Sequence, residues 1–144
     1  GTLMDESMRD FLCDIGVDEI ILNPPATGFH QLYKIEMIKK KMKVSVNIPL
    51  LPYHCPVTLE NLKFFEDSGI STLILPYTEI YSLQGLKKLE HALYAWGMED
   101  IEIDQSDPNC WVVDDQGMAD TILDAAKQYT YSVLVKRKQV LIDK

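Results

Sequence analysis

Gly69-Ile70-Ser71-Thr72-Leu73-Ile74-Leu75-Pro76 is the stretch on which the fold turns. A glycine follows a run with apolar residues at helical spacing, a short polar link comes next, and then four residues of strand character end at a proline. Glycine stops a helix because it alone enters the left-handed conformation without a steric penalty. A strand as apolar as Thr72–Leu75 is what a parallel strand covered on both faces requires.

The same grammar recurs on either side. Gly16-Val17-Asp18-Glu19-Ile20-Ile21-Leu22 and Gly97-Met98-Glu99-Asp100-Ile101-Glu102-Ile103 repeat it, and Lys41-Met42-Lys43-Val44-Ser45-Val46-Asn47-Ile48 keeps it without the glycine. The strand starts fall near 18, 43, 71 and 99, in steps of 25, 28 and 28 residues. That period fits one strand, one helix and two short loops. Four strands follow: Glu19–Leu22, Val44–Ile48, Thr72–Leu75 and Ile101–Ile103. Beyond Tyr129, the runs Tyr131–Val135 and Val140–Ile142 read as a hairpin, or as a final strand with a tail.

Helices fill the gaps. Met8, Phe11, Leu12 and Ile15 recur at helical spacing behind Asp5 as a cap, and Leu32, Ile35, Ile38 and Met42 form a second stripe. Thr58 caps a helix carrying Leu62 and Phe65, Ser82 caps one carrying Leu86 and Leu93, and a last helix spans Gln116–Gln128. The fold class is α/β: about four consecutive parallel βα units, forming either a partial TIM-type barrel or a small open parallel sheet with helices outside. Both place function at the carboxyl ends of the strands. A whole eight-unit barrel takes about 250 residues, so 144 residues amount to about half of one. Residues 1–144 read as a single domain.

The residues after each strand are the functional candidates. Asn23 opens the first loop, which runs on through Pro24, Pro25, Thr27 and Gly28 to His30; Tyr53, His54 and Cys55 stand in the second; Pro76, Tyr77, Thr78 and Glu79 form the third; Asp104 through Trp111 form the fourth. Of these, Asn23, Tyr53, His54, Glu79 and Asp104 are the expected substrate-facing groups. His30, His54, Cys55, Glu79, Asp104 and Cys110 are metal-ligand types, but their spacing matches no chelating set, and no metal site is expected. No GxSxG elbow, GxGxxG turn or P-loop occurs, so the catalytic residues are unassigned. Trp96 closes an apolar helix face before Gly97 and reads as core.

Composition excludes several classes. Net charge is −8 with a pI near 4.8, which repels phosphate backbones and argues against nucleic acid as a partner. The basic run Lys39–Lys43 reads as a solvated turn. No apolar run approaches the ~20 residues that cross a bilayer, so no membrane partner is expected. Three widely spaced cysteines do not make a disulfide framework, and a reducing, cytoplasmic setting is the expectation.

Two short motifs point further. Ile48-Pro49-Leu50-Leu51-Pro52, then a helix, then Gly69 and Leu73-Ile74-Leu75-Pro76-Tyr77, resemble the later half of radical S-adenosylmethionine enzymes, closest to relatives of pyruvate formate-lyase activating enzyme. Gly16-Val17-Asp18-Glu19-Ile20-Ile21-Leu22-Asn23-Pro24-Pro25 is similar to archaeal members. The resemblance covers some 60–70 residues. It implies a partial six-unit barrel, S-adenosylmethionine and a 4Fe-4S iron–sulfur cluster in a full-length protein, with Ile48, Leu75, Pro76 and Tyr77 near the adenine. This chain lacks the CxxxCxxC cluster loop. Tyr53 stands where the family has Gly, and Thr78 where it often has His. The resemblance therefore implies a carboxyl-terminal portion of such an enzyme, or a cluster-less relative. In the first case a missing amino-terminal barrel half is the partner, and the chain supplies a substrate- and nucleoside-facing wall, holds no cofactor itself and is not catalytic alone. Two alternatives stay open: a self-standing α/β module that binds a small molecule or a protein, and a small metal-dependent enzyme using His54, Cys55, Glu79 and Cys110.

Overall fold

The computed structural model describes residues 4–98, 100–114 and 116–136, without the side chains at 106, 107, 114 and 116. Helix α1 (Glu6–Asp14) leads into β1 (Glu19–Leu22), and α2 (Lys34–Ile38) joins β1 to β2 (Lys43–Asn47). Helix α3 (Cys55–Ser68) then leads to β3 (Thr72–Pro76). After β3 come β4 (Thr78–Ile80), α4 (Leu83–Ala95), β5 (Glu102–Asp107) and β6 (Cys110–Asp114), and α5 (Gln116–Ala126) returns the chain to β7 (Ser132–Lys136). The result is a mixed α/β fold with a four-stranded parallel sheet in the order β1-β2-β3-β7, interleaved with helices, and a three-stranded antiparallel sheet, β4-β6-β5.

Three of the four expected parallel strands stand where the glycine-punctuated period puts them. The fourth does not. Ile101–Ile103 overlaps β5, which pairs antiparallel with β6 in the smaller sheet, and β7 takes the fourth parallel place beside β3. Glu102-Ile103-Asp104 alternates polar and apolar, the pattern of a strand with one wet face, which an antiparallel sheet tolerates and a doubly covered parallel one does not. Tyr131–Val135 is thus a strand of the main sheet, and Val140–Ile142 lies outside the described residues.

Strand alternation sets the core. Val44, Val46, Ile48, Leu73 and Leu75 point to one face and pack with Ile35 and Ile38 of α2, Leu62 and Phe65 of α3, and Met118, Ala119 and Ile122 of α5. The opposite face carries Glu19, Ser45, Asn47 and Ile74 with Ile21 and Leu134. Ser45 donates to the Glu19 carboxylate across β1 and β2. Ile21 and Leu134, on the two edge strands, are 52% and 44% exposed.

Local signals explain the element ends. Asp5 Oδ1 accepts from Met8 N at 2.8 Å and Ser82 Oγ from Gly85 N at 3.0 Å, as the cap readings require. Thr58 is not a cap: α3 starts at Cys55, and Thr58 donates back to the His54 carbonyl at 2.7 Å. Gly69, at φ +71°, ends α3 and lets Ile70 N donate to the Phe65 carbonyl at 3.2 Å, which turns the chain directly into β3.

Tyr131 ties the start of β7 to α3. It is buried, its hydroxyl donates to the Leu62 carbonyl at 3.1 Å, and its ring stacks on Tyr129 at 5.7 Å. Burial pushes the phenol's pKa up from its ordinary value of 10.0, and the neighbouring Tyr129 and Glu66 act in the same direction. An acid raised in the folded state contributes fully below its unfolded pKa and loses that contribution as pH climbs above it. Stability should therefore fall above pH ~10, by no more than roughly 1.4 kcal/mol per pH unit from this group. Tyr131→Phe should cost about 0.5–1.5 kcal/mol at pH 7 and flatten the alkaline slope. Urea melts between neutral and strongly alkaline pH check this, and an unchanged slope in the variant would refute it.

Candidate functional site

The carboxyl ends of the parallel strands form a rim, and its first part is built by the segment after β1. Asn23 follows the strand, Pro24–Thr27 make one turn of 3-10 helix favoured by the two prolines, and successive turns run on to α2. Thr27 Oγ1 donates to the Pro24 carbonyl at 3.2 Å, which closes the turn on itself. Behind it lies a cavity of about 130 Å3, lined by Asn23, Thr27, Gln31 and Lys34 with Ile21 and Leu32. Lys34 is a charged residue only 8% exposed. Gln31 Oε1 is shut off from solvent and accepts no hydrogen bond from any described residue.

Toward β2 the rim continues through a side-chain pair. Asn47 Nδ2 donates to Asn23 Oδ1 at 2.8 Å, so adjacent strand ends hold each other's amides in place. The loop after β2 is tied to the end of β3: Leu50 N donates to the Pro76 carbonyl at 2.8 Å, Leu50 and Tyr77 form a parallel bridge, and Thr78 Oγ1 donates to the Leu50 carbonyl at 3.1 Å. Tyr77 N in turn donates to the Lys136 carbonyl at 2.8 Å.

An aromatic group stands beside this loop. His54 Nδ1 donates to the Pro49 carbonyl at 3.0 Å. Phe29, held at φ +65°, meets the His54 ring edge-on at 6.4 Å. Tyr53 stacks on Trp96 at 5.0 Å and 21°. Trp96 is therefore not core: it is 41% exposed at the end of α4 and partners an exposed tyrosine.

The expected substrate-facing residues thus divide. Asn23 stands at the cavity, and Tyr53 and His54 stand together on the next loop. Glu79 and Asp104 lie instead on β4 and β5, each opposite Val112 of β6. The Pro76–Glu79 and Asp104–Trp111 segments, expected as loops, are strand except for the bridge residue Tyr77 and the turn Pro108-Asn109, and Asp104 is a half-buried strand residue. The Tyr81 hydroxyl donates to Glu79. Of the four residues that the resemblance sets near an adenine, Ile48, Leu75 and Tyr77 are buried in the hydrophobic core, and Pro76 is half-buried.

The rim's polar groups are amides, hydroxyls, the imidazoles of His30 and His54, and the lysines Lys34 and Lys136, and they offer hydrogen bonds and positive charge rather than paired acid and base. The thiols lie apart: Cys13 on α1, Cys55 at the start of α3, and Cys110 buried on β6. Among the described residues no group of three or more His, Cys, Asp or Glu stands close enough to hold a metal ion, and no helix is long and apolar enough to cross a membrane. Gln31 and Lys34 did not emerge from the sequence reading. Their signal was there: Thr27, Gln31 and Lys34 follow one another at intervals of four and three residues, a polar stripe beside the apolar one of Leu32, Ile35 and Ile38. No family model matches the chain, and no curated protein or solved structure matches it.

Proposed function

We propose that this chain is one wall of a barrel-type binding site, which holds a small molecule at the carboxyl ends of its parallel strands and depends on other groups for any chemistry. The observation that carries this is the strand order. β1, β2, β3 and β7 follow one another without a reversal, and α2, α3 and α5 pack on a single face. A doubly wound sheet reverses its order and takes helices on both faces; a rolled sheet keeps both simple, and its other face and carboxyl-end loops become the binding side.

The Asn23–Asn47 pair lies on that side. Asn47→Leu removes a rim amide from a half-buried position. It should leave the melting temperature within a few degrees of the wild type while weakening rim-bound small molecules about tenfold or more, the loss of a hydrogen bond plus an orphaned partner. Ligand-observed NMR on both proteins measures this. Unchanged binding by the variant would count against the rim.

A second reading, the later half of a radical S-adenosylmethionine enzyme, is favoured by one observation. The segments that carry the resemblance, Ile48-Pro49-Leu50 and Leu75-Pro76-Tyr77, are hydrogen-bonded neighbours. The described residues do not fit the iron–sulfur cluster, since their thiols stand on three separate elements. On this reading the cluster would be held by other polypeptide, and this chain would supply a surface for the nucleoside. Titration with S-adenosylmethionine separates the two: line broadening at Pro76–Thr78 neighbours supports the second reading, and no response up to millimolar ligand removes it.

A further inference from the structure

We propose that a second copy of this chain closes the barrel: the β7 edge of each copy pairs with the β1 edge of the other, and α1 covers each junction. This rests on the reading of the chain as one wall of a barrel-type site, and it names the other wall. The order of elements carries it. Helices α1, α2, α3 and α5 precede β1, β2, β3 and β7 in turn, and those strands stand in that order in one parallel sheet. Four helix–strand units are half of the eight with which a parallel barrel closes. Two copies related by a two-fold axis along the barrel supply all eight, with every strand parallel.

The molecule is open at the two ends that this closure joins. Among the described residues β1 and β7 each have a strand on one side only, so their outer backbone groups are free to pair. Helix α1 lies at the β1 end of the helix layer. Arg9 Nη1 donates to the Met37 carbonyl at 3.1 Å and Lys41 pairs with Asp10 at 3.0 Å, which holds α1 beside α2. Its opposite face carries Met8, Phe11 and Ile15 at helical spacing, and Phe11 and Ile15 are 57% and 60% exposed. Ile21 and Leu134, half-exposed on the sheet face away from the helices, stand on the same two edge strands. Apolar side chains are thus left open where a second copy joins. Helix α1, β1 and β7 bring nine, four and five residues to the contact from each copy, close to the ~20–30 residues a side of a stable interface. A second copy covers both ends of the sheet at once, whereas a partner for one edge leaves the other open. Closure also sets the Asn23–Asn47 pairs of both copies around one mouth, so the rim is shared.

Sedimentation equilibrium of the intact chain tests this, and the expected mass is twice the 16.5 kDa of one chain. Phe11→Glu at the β1 end and Leu134→Lys at the β7 end should each weaken the dimer about tenfold or more, with far-UV circular dichroism checking their folds. Tyr94→Glu, also exposed but on α4, should leave the dimer unchanged. Mixing Phe11→Glu with Leu134→Lys should restore a dimer, because that pair keeps one junction with native residues on both sides. If Leu134→Lys does not fold, slow hydrogen exchange at the β7 amides that is lost on dilution decides in its place. A chain that stays monomeric at millimolar concentration, a dimer broken by only one of the two folded variants, a mixture that stays monomeric, or assembly beyond the dimer overturns the proposal. A monomer whose amides near Asn47 still shift with small molecules removes the second copy and leaves the rim reading standing. A dimer that passes these tests with a silent rim supports the closure and removes the rim reading alone.

Discussion

Replacing Phe65 with alanine is expected to cost about 3–5 kcal/mol of folding stability, the largest effect of any single truncation considered for this chain. Phe65 is fully buried on α3, where it meets the helix-facing side chains of β2, β3 and α5 in one cluster. Its carbonyl also receives Ile70 N, so the same residue anchors the turn from α3 into β3. An alanine leaves a cavity that α3 cannot close, because Tyr131 bonds the Leu62 carbonyl and Glu66 accepts from Thr130, which fixes the helix against β7. A domain of this size is stable by about 5–15 kcal/mol in total, so the variant should melt on the order of 10 °C lower. Urea and thermal melts followed by circular dichroism measure it, and a loss under about 1 kcal/mol would mean that α3 does not pack as described.

Leu75→Ala should cost about 2–5 kcal/mol, and it separates two roles for that residue. The resemblance to radical S-adenosylmethionine enzymes implies a nucleoside-facing Leu75. In the structure Leu75 is 0% exposed and lies in the cluster formed with α2, α3 and α5, on a strand hydrogen-bonded on both sides. A core residue shows its truncation in stability. A residue whose side chain stands at a ligand surface shows it in binding, with stability changed by a few tenths of a kcal/mol. Equilibrium unfolding of Leu75→Ala therefore reports where this side chain points, and a near-neutral result would contradict the core assignment.

The parallel strands were legible because their signal is strictly local. Gly69 ends a helix, Leu73, Ile74 and Leu75 are all buried, and nothing in between competes with that reading. The same logic failed after Gly97, where the glycine again ends a helix but the following strand belongs to a different sheet. A period of βα units cannot register an insertion whose length happens to match the repeat. The hairpin had its own sign in Pro108-Asn109, turn residues between two runs of strand type. β4 is only three residues long, and behind Pro76 it reads as a turn.

At the site, Asn23, Tyr53 and His54 were legible because a residue just past a strand must lie at the rim whatever the tertiary packing. Glu79 and Asp104 were assigned to loops by the same rule, and they moved once those loops proved to be strands. The polar stripe that carries Gln31 and Lys34 does not single them out, for a physical reason. A lysine at helical spacing is ordinarily solvated, and only tertiary packing buries it beside a cavity.

Mapping small-molecule fragments onto assigned amide resonances of the intact chain tests whether the carboxyl-end rim is the binding surface. Perturbations should concentrate at Asn23, Thr27, Gln31, Asn47, His54 and Thr78, at the strands' carboxyl ends. Perturbations confined to the amino-terminal ends of the strands, around Lys39–Lys43 and Ser71, would contradict it.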